Sequence, residues 1–248
     1  MKEVVKAFLP DFVLRARSSY LNAKRSRELG GVTPKEVFTR AYADGLWGRS
    51  KDPADRYFSG TGSRAKDIVA AYVSAVEKYL TSHDTRPDVV DLGCGDFTVG
   101  SQLREFCGNY IAVDVVEPLI ARNREKFREL GVDFRVLDFT TDDLPNADVV
   151  FLRQVLQHLT NRQIAVVLPK LQMHYKHLVL TEHLPASRNF KPNLDMPMGA
   201  DIRLGIGKYG SGIVITEPPF SFNAKRETIL CEAEEDGGII RTTAYELV

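Results

Sequence analysis

Asp91-Leu92-Gly93-Cys94-Gly95 follows the apolar pair Val89-Val90, and a second apolar run, Tyr110 to Val113, ends in Asp114. Residues of these types at this spacing can grip a nucleoside. Two glycines let the backbone after a strand turn sharply and approach a ligand without a Cβ in the way. An acid closing the next strand, about twenty residues on, can accept both hydroxyl hydrogens of a ribose. The third glycine of the dinucleotide fingerprint is missing, since Phe97 and Thr98 follow Asp96, so a bound pyrophosphate is not expected. Asp91 at the strand end can hold the loop.

A repeating alternation of strand and helix must position these groups. Short apolar runs at 88–92, 110–114, 132–137, 148–152 and 177–181 read as strands, and 99–107, 117–130 and 161–175 read as helices between them. That rhythm predicts an α/β fold with a mostly parallel sheet and helices on both faces. Right-handed crossovers then bring the loops starting near Gly93, Asp114, Asp138, Arg153 and Glu182 to one rim, where open sheets bind ligands.

Upstream, residues 1–29 read as one or two amphipathic helices ended by Gly30-Gly31. Thr33-Pro34-Lys35-Glu36 reads as an N-cap, a proline at N1 and an acid at N3, opening a helix to about Asp44. A further helix, capped by Ser63 and running to about Leu80, carries Ile68, Val69, Tyr72, Val76 and Leu80 on one stripe. Residues 1–82 are therefore expected to form an N-terminal helical lid, and 83–248 the catalytic domain. Within that domain, 184–226 interrupts the rhythm with five prolines and five glycines and reads as a substrate lid, with a short strand at Ile213–Ile215. Asp236-Gly237-Gly238 between two strand-like runs predicts a closing hairpin.

Composition bounds the partners. Acidic and basic residues balance at 33 each, which gives no reason to expect nucleic acid or an anionic membrane. The first 32 residues are locally basic, with Arg15, Arg17, Lys24, Arg25 and Arg27, and read as a solvated helix face. Cys94, Cys107 and Cys231 are scattered and odd in number, which argues against a disulfide framework and for a reducing, cytoplasmic setting. No apolar stretch reaches the length of a membrane span, and the N-terminus lacks a signal-peptide core. No compact metal-ligand motif is present, so no metal is expected.

Taken in order, Asp91-Leu92-Gly93-Cys94-Gly95, Asp114, Asp138-Phe139 and Phe151-Leu152-Arg153-Gln154-Val155-Leu156-Gln157-His158-Leu159 resemble the motifs of class I S-adenosylmethionine-dependent methyltransferases over about residues 86–183. The resemblance implies a Rossmann-like seven-stranded sheet with an antiparallel last strand. It implies S-adenosylmethionine as cofactor and S-adenosylhomocysteine as product. Asp91, Gly93, Cys94, Gly95, Phe97, Asp114, Val115, Asp138, Phe139 and Arg153 would then contact the cofactor. Trp47-Gly48 and Ser59-Gly60-Thr61-Gly62-Ser63 are similar to a lid segment of some members, which adds Trp47, Ser59 and Gly60. Trp47, Phe58 or Phe97 can face the cationic sulfonium.

Methyl transfer to an alcohol needs the nucleophile held in line and a general base. His183 and His158 are the candidate bases, with His183 expected just past the fifth strand and facing the acceptor. Gln154, Glu182, Asp195, Asp201 and Arg203 are candidate acceptor-binding groups. The expected reaction is methylation of a hydroxyl, or an amine, on a small polar acceptor such as a sugar or secondary metabolite, by a possible homodimer. The rival expectations are an RNA or protein methyltransferase, a nicotinamide oxidoreductase, and a non-catalytic nucleoside-binding regulatory subunit. Neutral charge and the absence of an aromatic-plus-basic strand pattern weigh against RNA. The missing third glycine and the lack of a Tyr-x-x-x-Lys pair weigh against the oxidoreductase.

Overall fold

The computed structural model describes residues 31–50, 57–60 and 64–247. The helices expected within 1–29, the basic N-terminal cluster, Thr61-Gly62 and the Ser63 cap lie outside them. Seven strands form one sheet: β1 (Val89–Leu92), β2 (Tyr110–Asp114), β3 (Asp133–Val136), β4 (Val149–Arg153), β5 (His177–Pro185), β6 (Arg226–Glu235) and β7 (Gly238–Glu246). Their order is β3-β2-β1-β4-β5-β7-β6. Neighbours pair in parallel except at β7, which runs antiparallel to both β5 and β6. From β1 the chain moves outward to β2 and β3, then returns to β4 on the other side. The reversal opens a crevice beyond the carboxyl ends of β1, β2 and β4.

The helices are α1 (Pro34–Asp44), α2 (Lys66–Thr81), α3 (Gly100–Leu103), α4 (Glu117–Lys126) and α5 (Asn161–His174). Thr33 and Glu36 make the expected capping box of α1, with the Thr33 N–H donating to Glu36 Oε2 at 2.8 Å. Thr160 and Gln163 build a second one for α5. The helix expected over 99–107 is a single α turn followed by 3-10 helix.

Strand alternation divides the core. Val90, Leu92, Val150, Leu152, Leu178 and Leu180 face α5, and the segment after β5 packs there through Met198, Ile213, Ile215 and Phe222. Val89, Val149, Phe151 and Val179 face α2 through Tyr72, Val76 and Leu80. Full burial of each such side chain stabilises the fold by about 1.5–3 kcal/mol. The expected stripe of α2 is buried at Ile68, Tyr72, Val76 and Leu80, whereas Val69 is half-buried.

Two local expectations need correction. β5 continues through Glu182 and His183 to Pro185, because all nine of its residues pair with β7. No strand forms at Ile213–Ile215, although both isoleucines are buried. The backbone there is satisfied instead by the buried Asn193 side chain, which donates to the Val214, Glu217 and Pro218 carbonyls and accepts from the Val214 N–H at 2.9 Å. The closing hairpin turns at Asp236 and Gly237, both with positive φ, as a two-residue turn requires.

Candidate active site

The β1–α3 turn and the end of β2 are bonded into one unit. Gly93 and Gly95 have φ of +75° and +55°. A Cβ on Gly93 would stand 2.7 Å from Val155 Cγ2, and one on Gly95 would stand 2.6 Å from Ser59 Oγ. Only glycine combines that backbone with that closeness. Asp114 Oδ2 accepts the Gly95 N–H at 3.1 Å, and its Oδ1 accepts the Val116 N–H at 3.0 Å. Burial pushes the Asp114 carboxyl up to about 6 against the pull of these amides.

Deeper in the same cavity, Asp91 Oδ2 accepts from the Tyr110 hydroxyl at 3.1 Å. Burial raises its carboxyl to about 7, while the Tyr110 bond and the Arg153 charge pull the other way. Arg153 lies over the Tyr72 ring with Cζ 5.0 Å from the centroid. Its Nε and Nη2 are buried and have no hydrogen-bond partner. Burial also pulls the Arg153 guanidinium below its usual range. A buried guanidinium with two idle donors, beside a carboxylate near neutrality, is suited to a ligand carrying both a carboxylate and an ammonium group.

Asp138, Phe139 and Thr140 also line the cavity. Asp138 Oδ1 is already engaged by the Thr140 N–H at 2.9 Å and its hydroxyl at 2.6 Å. Ser59 and Asp96 clasp each other: the Ser59 N–H donates to Asp96 Oδ2 at 3.1 Å, and the Asp96 N–H donates to Ser59 Oγ at 2.9 Å. Arg64 Nε joins Asp96 Oδ2 at 3.1 Å. The segment before α2 is thereby fastened to the glycine turn.

An aromatic group forms part of the lining. Trp47 packs edge-on to Tyr42 at 4.9 Å between centroids and tilts against His158 at 5.3 Å; Phe38 completes the group. The Trp47 indole N–H donates to Ala200 O at 3.1 Å, joining the segment after α1 to the 184–226 insert. His158 Nδ1 lies 3.2 Å from Asp201 O, which can only accept. Nδ1 therefore carries the proton and Nε2 the lone pair. Burial lowers the His158 imidazole to about 4, so the ring is neutral at physiological pH.

The cavity thus gathers Asp91, Gly93, Cys94, Gly95, Asp114, Val115, Asp138, Phe139, Arg153, Gln154, Trp47, Ser59 and His158 from the sequence-derived candidates. Other candidates lie elsewhere. Phe97 is buried beneath the turn against Tyr110, Phe127 and Phe134, with ring centroids 4.9–5.4 Å away, and belongs to the core. Phe58 lies under the Arg64 guanidinium, 4.9 Å from Cζ. Gly60 follows Ser59 but does not line the cavity. His183 sits inside β5 opposite Ile240, with Nε2 3.2 Å from Glu235 O. Glu182 and Arg203 are buried outside the lining. Asp195 is exposed and accepts the Asn161 N–H at 2.8 Å, and the backbone carbonyl of exposed Asp201 accepts from His158 Nδ1 at 3.2 Å.

Phe38, Tyr42, Arg64, Tyr72, Asp96 and Val155 are site-building residues that the sequence did not single out for this role. Asp96 carried one signal, a turn position next to a glycine, but Ser59 and Arg64, the partners that fasten it to the segment before α2, lie more than thirty residues away. Among the described residues, no group of three or more His, Cys, Asp or Glu converges as metal ligands do, and no helix is long and apolar enough to cross a membrane.

Residues 89–177 match the family described as methyltransferase domain. An uncharacterized methyltransferase of Mycobacterium tuberculosis is 30% identical over 80 residues, which are 32% of this chain and 41% of that protein. The chain therefore spans less than half the length of the curated relatives it matches. The N-methyltransferase NodS of Bradyrhizobium japonicum, solved with S-adenosylhomocysteine, superposes with a TM-score of 0.60 at 12% identity, over 85% of this chain and 98% of that one. The N-terminal domain of EvdMO1 gives 0.54 at 13% identity over 91% and 95%. The magnesium protoporphyrin IX methyltransferase of Synechocystis gives 0.50 at 17% identity over 98% and 99%. At these identities the likeness is one of fold.

Proposed function

We propose that this chain, whose residues 89–177 are a methyltransferase domain within a class I Rossmann-like fold, transfers a methyl group from S-adenosylmethionine to a hydroxyl of a small polar acceptor. A sugar or other hydroxylated metabolite is the first expectation, and an amine the second. One observation carries this reading: acids from three strand ends, a glycine turn and a neutral imidazole line one cavity.

S-adenosylmethionine, when bound, supplies an electrophilic methyl group on a sulfonium. Asp114 accepts from the ribose hydroxyls, and Asp138 with Phe139 brackets the adenine. Asp91 takes the ammonium group of the methionyl end, and the idle Nε and Nη2 of Arg153 take its carboxylate. The backbone of Gly93, Cys94, Gly95 and Val115 closes against the nucleoside. Trp47 and Tyr42 offer aromatic faces to positive charge. On the acceptor side, His158 Nε2 is the ring's acceptor nitrogen; the Gln157 side-chain amide approaches it at 3.5 Å, and Nε2 takes the hydroxyl proton once that long contact gives way. Gln154, held at φ +57° by its N–H bond to Thr181 O at 2.7 Å, orients the acceptor from the β4 end.

The segment after α1 and the 184–226 insert act as two halves of a cover, meeting where Trp47 bonds Ala200, whereas α2 belongs to the core beneath the sheet. Closure excludes water and strengthens the electrostatics within. Three free thiols and balanced charge suit a reducing cytoplasm.

Calorimetry with S-adenosylhomocysteine and, separately, NAD tests the cofactor. Transfer of labelled methyl to a panel of sugars, phenols and amines then tests the reaction. NAD binding without S-adenosylhomocysteine binding overturns the proposal. Nucleoside binding without transfer to any acceptor favours a regulatory binding module.

A further inference from the structure

The turn that carries His158 is held at both ends by buried ionisable side chains outside the cavity. Leu156–His158 form one turn of 3-10 helix. At its start, Glu182 Oε1 accepts the Leu156 N–H at 3.2 Å, and the Gln157 N–H bonds the same carboxyl group. Beyond its end, Arg203 Nη2 donates to Leu159 O at 2.5 Å. Arg203 Nη1 reaches Leu194 O in the insert and, at 3.0 Å, Asn161 Oδ1 at the start of α5. Glu182 is 3% exposed and Arg203 1%. Acceptor and donor are matched to the turn: free N–H groups point to its start and free carbonyls to its end. Burying two ionisable side chains is unfavourable unless their polar atoms are bonded, and here the bonds go to the turn. Neither touches the cavity, so ligand contact does not account for them.

We propose that Glu182 and Arg203 are positioning residues, a clamp that fixes the Leu156–Leu159 turn and with it the ring of His158. Arg203 also anchors the insert two residues after Asp201, whose carbonyl holds His158 Nδ1. One guanidinium thereby sets both the turn and the partner of its imidazole. The consequence for turnover rests on His158 acting as the acceptor-side base, so the clamp is tested on the imidazole itself.

The test is an NMR titration of the histidines in the full chain, with thermal unfolding to establish that each variant is folded. Wild-type His158 should titrate at about 4. Glu182→Ala should release the turn to water and raise that midpoint by about one unit or more toward the ordinary 6.5, a tenfold change in proton affinity. Burial pushes the Glu182 carboxyl up to about 8, so it is protonated where His158 titrates, and its removal acts there through position. Glu182→Gln, which keeps an oxygen for the two amides, should retain the wild-type midpoint. S-adenosylhomocysteine affinity should stay within about twofold of wild type in both variants. An unchanged midpoint in folded Glu182→Ala overturns the clamp. If that variant does not fold, Arg203→Lys decides: it keeps the charge but loses the fork, so a raised midpoint supports the clamp and an unchanged one overturns it. Failure of methyl transfer would leave these midpoints untouched, which keeps the two failures apart.

Discussion

Gly95 and Asp114, 19 positions apart, are joined by a 3.1 Å bond from the glycine N–H to the carboxylate Oδ2. The bond locks the glycine turn to the strand end that faces it. The backbone amides of Gly95, Val115 and Val116 bear on the Asp114 carboxylate, whose roughly four acceptor sites they do not exhaust.

Asp114→Ala should weaken S-adenosylhomocysteine binding at least tenfold by calorimetry, since hydrogen bonds to a charged group contribute about 1.5–3 kcal/mol each. Asp114→Asn, which keeps one acceptor oxygen, should fall between. An unchanged dissociation constant would remove Asp114 from the ribose role.

Asp91 makes the stability of the ligand-free protein depend on pH. Its folded value of about 7 lies above the unfolded value of about 3.9. The folded form therefore holds the proton more tightly, and its contribution is complete below pH 4 and lost as pH rises through 7. Stability of the wild type relative to Asp91→Asn should decline between pH 4 and pH 8 by on the order of 4 kcal/mol. Parallel urea unfolding curves at the two pH values measure it, and an equal gap at both would show that Asp91 titrates normally.

His158→Ala should lower kcat by about a hundredfold or more, the usual range for a lost general base, with the dissociation constant for S-adenosylhomocysteine within twofold. Because burial holds the imidazole near 4, the wild-type rate should show no inflection from this group between pH 5 and pH 8. Full activity in the variant would make His158 a wall residue.

Gly95→Ala should destabilise the protein by about 1–3 kcal/mol and abolish tight nucleoside binding, because the new Cβ meets Ser59 Oγ at 2.6 Å on a left-handed backbone. Adding Ser59→Gly should recover part of the stability by removing the collision. No recovery in the double variant would place the whole cost in the backbone.

The sheet was legible because each strand and helix carries its own period, and the order of acids and glycines marked the rim. What escaped depended on partners distant in sequence. His183 looked like a loop residue after a five-residue apolar run, but β7 lends β5 a partner for four residues more. Phe97 looked available beside the glycines, yet its positive φ turns it into a nest of three aromatic rings. The spacing around Ile213 suggested a strand, and a single asparagine side chain took the place of the strand partner. Tyr42, Tyr72 and Arg64 sit on or before helices whose local pattern speaks only of burial. Nothing in the spacing of 42, 59 and 95 announces that they meet.

Trp47 is the chain's one indole, and it bridges the segment after α1 to Ala200 while leaning on His158. Its intrinsic fluorescence therefore reports a single place, the seam between the two covering segments. Any ligand that parts or tightens that seam will register as a change in emission or quenching, with no label attached and no other tryptophan to dilute the signal.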